Sequence, residues 1–356
     1  MSEFFSDMIG KNFNSAAVLD ISSAADEGKK VLVISDFHMG DGTRGDDFLR
    51  NSGLVMDCLE KYYLPGGFYL VLNGDIEELQ GHDFPAIRLY WKRLYEILDR
   101  FAAESRLYKT LGNHDGELVH VENYPYPLFD AIRVETGILP VFIYHGHQSS
   151  NIYTNYNNFL RAGVRYIFKP IGLHNVFSAR SSRKRFKVER NAYAFSLENN
   201  LVSIIGHTHR SLFESLGRFD YIKFEIERLC REFPTAEGER KIFIAREVRA
   251  LRTELGKLKR SEKRRSLMDS LYGDELPVPC LFNSGSTLGR KGITAIELGA
   301  KTISLVYWFT EGAGKRFVTR GGYAIEPLPG TQQRRAVLNE DRLDYVQAKI
   351  ELLGGR

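Results

Sequence analysis

The chain has 356 residues, of which 43% are hydrophobic and 26% charged, with 32 Gly and 11 Pro; this is the balance of an ordinary globular protein and argues against a disordered or fibrous chain. At roughly 100–200 residues per domain, the length fits one large α/β domain with an insertion, or two smaller domains. The 49 Lys and Arg against 45 Asp and Glu leave a net charge of +4, too mild an excess to imply a nucleic-acid partner by itself. Cys58, Cys230 and Cys280 lie far apart without a C-x-x-C pair, so neither a disulfide framework nor a thiolate zinc site is expected, and the compartment reads as reducing. The opening MSEFFSDMIGKNFNS has no basic segment followed by an apolar run, and no later stretch approaches 18 uncharged apolar residues. Secretion and membrane spanning are therefore not expected.

Residues 31–35 (VLVIS) and 68–72 (FYLVL) are rich in β-branched and aromatic side chains and end at polar groups, as buried strands of an α/β sheet do. Between them Phe48, Val55, Leu59 and Tyr62 recur at helical spacing, and after them Ile87, Trp91, Leu94, Leu98 and Phe101 do so more clearly. The first third reads β-α-β-α. Further strands are expected at 107–110, 141–144, 201–205, 293–297 and 302–308, a spacing that suits two packed sheets flanked by helices.

From about 211 to 280 the pattern becomes helical, with Ile242, Ala245, Val248, Leu251, Leu255 and Leu258 as the expected apolar stripe. Within 240–265 there are 11 Lys or Arg against 3 Glu, a local net of +8. A second basic cluster, Arg180, Arg183, Lys184, Arg185, Lys187 and Arg190 against Glu189 alone, carries +5. Solvated helix faces account for such clusters; so does a positive rim facing an anionic substrate, a nucleic-acid backbone or an acidic membrane surface. The tail from 311 reads as a Gly-rich extension ending in an amphipathic helix around 339–353, which could close the domain or support a homo-oligomer.

The chemistry-bearing residues form an ordered series: Asp36 and His38 in SDFHMG, Asp75 in NGDIEE, Asn113, His114 and Asp115 in GNHD, His145 and His147 in YHGH, and His207 and His209 in GHTH. Several of these segments follow strand-like runs, which would deliver them to the carboxyl edge of a sheet. Carboxylate, imidazole and carboxamide donors without sulfur suit hard or borderline divalent ions. The donors outnumber what one ion requires, and two ions sharing a carboxylate suit phosphoester hydrolysis, where attacking and leaving oxygens are both stabilised.

These five motifs in this order resemble the calcineurin-like metallophosphoesterase superfamily, and NSGS at 283–286 resembles the strand that follows GHTH there. The resemblance implies a four-layer α-β-β-α sandwich spanning 28–310, interrupted by the helical, basic insertion at 211–280 and followed by the 311–356 extension. It implies Asp36, His38 and His209 on one metal ion, Asn113, His145 and His207 on a second, and Asp75 bridging them. It further implies His114 beside the phosphate with Asp115 orienting its imidazole, and attack by a metal-bound hydroxide. Mn2+ is the first expectation for the pair of ions, with Fe, Zn2+ or Ni2+ as alternatives.

Among branches of that superfamily, SDFHMG, NGDIEEL and HGH followed by a Tyr- and Asn-rich segment look most like the UDP-2,3-diacylglucosamine pyrophosphatases. By that likeness His147, Tyr156, Asn157, Arg161 and Arg165 fall where substrate is bound. The chain departs from that branch in having His147 where an acidic residue is usual, in the insertion after GHTH and in the long tail. The primary expectation is therefore a cytoplasmic, metal-dependent phosphoric ester hydrolase acting on a phosphomonoester or phosphodiester. A UDP-2,3-diacylglucosamine-type pyrophosphatase, a nuclease and peripheral membrane attachment are the alternatives.

Overall fold

The computed structural model describes residues 16–22, 28–43, 45–149, 182–213, 229–265, 278–313 and 323–354, together with positions 222, 226, 227 and 318. In chain order the elements are β1 (Ala17–Asp20), β2 (Lys30–Ile34), α1 (Ser52–Cys58), β3 (Tyr69–Asn73), α2 (Phe84–Tyr90), α3 (Lys92–Ala103), β4 (Leu107–Thr110), β5 (Leu128–Phe129), β6 (Ile132–Glu135) and β7 (Pro140–Ile143). They continue with α4 (Ser182–Glu198), β8 (Val202–Ile205), β9 (Leu212–Phe213), α5 (Gly238–Arg265), β10 (Leu281–Asn283), β11 (Ile293–Gly299), β12 (Thr302–Thr310), β13 (Glu326–Pro327), β14 (Gln333–Arg342) and α6 (Leu343–Leu353).

Among the described residues fourteen strands form two sheets, one ordered β1-β6-β7-β8-β10-β9 and the other β13-β14-β12-β11-β2-β3-β4-β5. Both are mixed: β2, β3, β4 and β5 run parallel, as do β7, β8 and β10, while β11, β12, β13 and β14 continue the larger sheet antiparallel. Parallel neighbours direct their carboxyl ends to one edge, which is where the motif segments emerge.

Side chains alternate across each strand. On β2, Leu32 and Ile34 enter the core beneath α1, α2 and α3, together with Leu70 and Leu72 of β3, Phe101 and Trp308. Val31, Val33 and Val71 are equally buried but belong to the opposite face. A sheet buried on both sides needs a covering layer on each, and α4 packs on β8 and β10 of the smaller sheet. Two sheets flanked by helices, the α-β-β-α arrangement expected from the sequence, is the architecture found.

Three expectations are corrected. The sheets draw on chain outside 28–310, because β1 pairs with β6 and β14 pairs with β12 from Thr302↔Arg342 to Thr310↔Gln333. The tail from 311 is thus built into the larger sheet, and the helix expected from 339 starts at Leu343, after the strand. Lastly, Ile242 is 71% exposed. The stripe of α5 that packs into a core is Ile244 and Leu251 with the partly buried Val248 and Leu255, spaced i, i+7, i+4 and i+11, and a residue two positions from Ile244 lies about 200° around the helix from it.

By contacts the chain divides into two compact units, one of Met1–Phe213 with Cys280–Arg356 and the other of Glu214–Pro279. Within the second, Ile222, Leu229, Ala236, Ile244 and Leu251 form a core of their own. Arg240, Lys241, Arg246, Arg249 and Arg252 of α5 are exposed. No helix among the described residues is long and apolar enough to cross a membrane.

Candidate metal centre

Five loops leave the carboxyl ends of β2, β3, β4, β7 and β8 and converge. Of the eight non-glycine residues with positive φ among the described residues, five are expected ligands: Asp36 (56°), His38 (51°), Asp75 (52°), His207 (63°) and His209 (54°). A left-handed conformation at such residues costs on the order of 1–3 kcal/mol each and clusters at functional sites. The motif glycines have steric reasons. A Cβ on Gly112 would overlap Asp75 Oδ1 and its backbone nitrogen, one on Gly74 would lie 2.5 Å from His145 Nδ1, and one on Gly206 would lie 2.7 Å from Asp36 Oδ2. The backbone approaches the donors too closely for any side chain.

Each aspartate is anchored by one oxygen and presents the other. Asp36 Oδ2 accepts from the Ser35 hydroxyl and from His207 N at 3.1 Å, while Oδ1 lies 3.1 Å from His209 Nε2 and 3.9 Å from His38 Nε2. Asp75 Oδ1 accepts from His114 N at 2.8 Å. Its Oδ2 stands between two clusters, 3.0 Å from His145 Nε2 and 3.9 Å from His38 Nε2. His145 Nδ1 lies 2.8 Å from the Asn73 carbonyl oxygen, which turns Nε2 inward. Asp36, His38 and His209 form one group of converging donor atoms, and Asp75, His145 and His207 another.

Asn113 Oδ1 is buried without a hydrogen-bond partner among the described residues, while Asp36 Oδ1 and His145 Nε2 are buried against an imidazole and a carboxylate of the site itself. Buried polar atoms of this kind call for an explanation. Burial raises both aspartates, yet neighbouring imidazoles, His209 for Asp36 and His145 and His114 for Asp75, hold the carboxyls below their ordinary range, Asp75 well below. In the opposite direction burial lowers His114 and His145, and the Asp75 charge carries each up to about 9. Burial, followed by the His145 charge, pushes His207 down to about 3 and His147 well below its ordinary value. The two aspartates meet imidazole rings, backbone N–H groups and the Ser35 hydroxyl. A divalent cation would replace those imidazole protons as countercharge to the aspartates and bind the deprotonated ring nitrogens, so the residues present fit such an ion.

His114 Nδ1 lies 2.7 Å from Glu78 Oε2, and the same oxygen lies 2.9 Å from His38 Nδ1. Burial raises the Glu78 carboxyl, but His114 and His38 bring it down to about 2. The carboxylate on the His114 imidazole is thus Glu78, which corrects the expectation placed on Asp115. Asp115 is wholly buried and turned away from that ring. Its Oδ1 accepts from Gly112 N at 2.6 Å, and its Oδ2 accepts from Ile76 N at 2.9 Å and Lys109 Nζ at 2.7 Å. It therefore stitches the Asp75 loop to the GNHD loop.

Lys109 also lies 2.9 Å from Glu77, whose other oxygen accepts from Tyr95 and Tyr124 hydroxyls at 2.9 Å each. Burial lowers the ammonium pKa, and Asp115 and Glu77 together raise it above the ordinary value. Removing one partner from such a buried set leaves uncompensated charge. Lys109→Met is expected to lose about 3–5 kcal/mol of stability, read as a lower urea midpoint at unchanged slope. A midpoint within experimental error of the parent would mean that Glu77 and Asp115 do not depend on the ammonium.

His147 is buried with its ring 5.4 Å from that of His145 and 6.4 Å from that of His207, at the second group of donors. Tyr156, Asn157, Arg161 and Arg165, and Arg180 of the second basic cluster, lie outside the described residues. NSGS supports the centre from behind: Ser284 Oγ is 2.8 Å from Ser35 Oγ, and Asn283 Nδ2 donates to the Gly206 carbonyl at 2.9 Å.

No protein-family model and no curated protein matches the sequence. Among solved structures, the chain is similar to a single-mutant Vps29 from Entamoeba histolytica, with 11% identity and a TM-score of 0.36 over 80% of this chain and 94% of that one.

Proposed function

We propose that the protein is a phosphoric ester hydrolase dependent on two divalent ions, built as a calcineurin-like metallophosphoesterase. The observation that carries the reading is the pair of converging donor groups with Asp75 Oδ2 between them, 3.0 Å from His145 Nε2 and 3.9 Å from His38 Nε2. Asp36, His38 and His209 would hold one ion, and Asn113, His145 and His207 the other, with Asp75 shared. Bound there, the ions would supply Lewis acidity toward a phosphoryl oxygen and a water made acidic enough to react near neutral pH.

The chain's own groups do the rest. Glu78 engages Nδ1 of His114, leaving Nε2 as the ring nitrogen for substrate, and Asp75 and Glu78 raise that imidazole above its ordinary value in the ion-free protein. Held through Nδ1 by the Glu78 carboxylate, the ring suits proton donation to the leaving oxygen. The backbone bond from His114 N to Asp75 Oδ1 fixes this residue relative to the shared carboxylate.

The test is ion content together with initial rates on p-nitrophenyl phosphate, bis-p-nitrophenyl phosphate, a UDP-sugar diphosphate with and without acyl chains, and short single-stranded DNA. Two ions per chain are expected, with hydrolysis of a small phosphoester lost on chelation and restored by Mn2+. Strong preference for the acylated UDP substrate would establish the pyrophosphatase alternative, and preference for DNA the nuclease. Two bound ions without turnover on any substrate would overturn the assignment as a hydrolase.

A further inference from the structure

Glu189 of α4 is completely buried although it carries a carboxylate and comes from a helix that supplies no expected ligand. Its Oε1 accepts from Thr208 Oγ1 at 2.8 Å and from Arg210 Nε at 3.2 Å, and its Oε2 accepts from Arg210 Nη2. The Thr208 hydroxyl in turn accepts from Asn283 Nδ2 at 2.9 Å. Thr208 is itself wholly buried and sits between His207 and His209, both of which have positive φ. The carboxylate therefore grips the one residue flanked by a donor from each group, and the residue that follows the second of them.

We propose that Glu189 is a positioning residue for both ion sites at once, holding the turn from Gly206 to Arg210 in the conformation that presents His207 to one ion and His209 to the other. The inference rests on the two-ion reading above. A buried carboxylate is costly unless it is fully engaged, and here the hydrogen bonds it accepts from Thr208 and Arg210 all come from this one turn. Outer groups that orient a ligand typically govern about 10–100-fold in metal affinity.

The experiment is calorimetric titration of the chelator-stripped full chain with Mn2+, alongside thermal melting in chelator. Glu189→Ala is expected to weaken both ions together by about 10–100-fold, with Glu189→Gln in between because the amide oxygen can still accept from Thr208. Parental affinity with a lowered melting temperature would reduce Glu189 to a structural role and overturn the proposal, as would weakening of one ion alone. If Glu189→Ala does not fold, Thr208→Val breaks the same chain while leaving Glu189 paired to Arg210. Unchanged Mn2+ affinity in that variant would equally overturn it. A parent protein that takes up no Mn2+ would overturn the two-ion reading and this inference together, whereas two ions bound equally by parent and variant would overturn the inference alone.

Discussion

Asp75→Ala should leave a folded protein that retains neither ion at micromolar concentrations and has essentially no turnover. One oxygen of this carboxylate accepts the His114 backbone bond, and the other stands between the two donor groups. Truncation removes the carboxylate proposed to be shared and leaves His145 Nε2 without the oxygen 3.0 Å from it. The two losses should coincide. Elemental analysis after gel filtration reads the first and a p-nitrophenyl phosphate assay the second. A variant with two ions and parental rates would show that Asp75 does not bridge.

His114→Ala should separate binding from chemistry. The ring is held through Glu78 and is a member of neither proposed ion site, so both ions should remain while kcat falls by about 10²–10⁴. Glu78 Oε2, His38 Nδ1 and His114 Nδ1 also converge closely enough to hold a cation, which gives the measurement a second use. Loss of an ion from the His114 variant would mean that this third group, rather than general acid chemistry, explains the residue.

The five motifs were legible because each couples a glycine to a donor at the end of an apolar run, and the structure supplies the steric reason at Gly74, Gly112 and Gly206. Glu78 was not legible. The sequence places Ile76, Glu77 and Glu78 after Asp75, but which acid faces His114 depends on the left-handed turn at Asp75. Glu77 instead goes to the buried Lys109, and Asp115 follows it there. An acidic pair directly after the strand was the only available signal, and it does not say which member faces the centre. Glu189 was hidden for another reason: in its local context it is one acid among six bases, and its partners lie 19 and 21 residues away. β14 escaped because Gln333–Arg342 is rich in residues of low strand propensity, and its conformation comes from pairing with the apolar β12.

The anchoring of His207 and His209 on one turn also affects how the protein is made. During synthesis from the amino terminus, Asp36, His38, Asp75, Asn113 and His145 are all available before this turn exists, and each proposed ion site then still lacks an imidazole. Until β8 has paired with β7 and Glu189 has closed on Thr208, a nascent chain can offer a cation only a partial set of donors. On the two-ion reading, cation capture is thereby tied to the addition of β8 to the smaller sheet, and an ion would act as a late lock on the site rather than a nucleus for early folding.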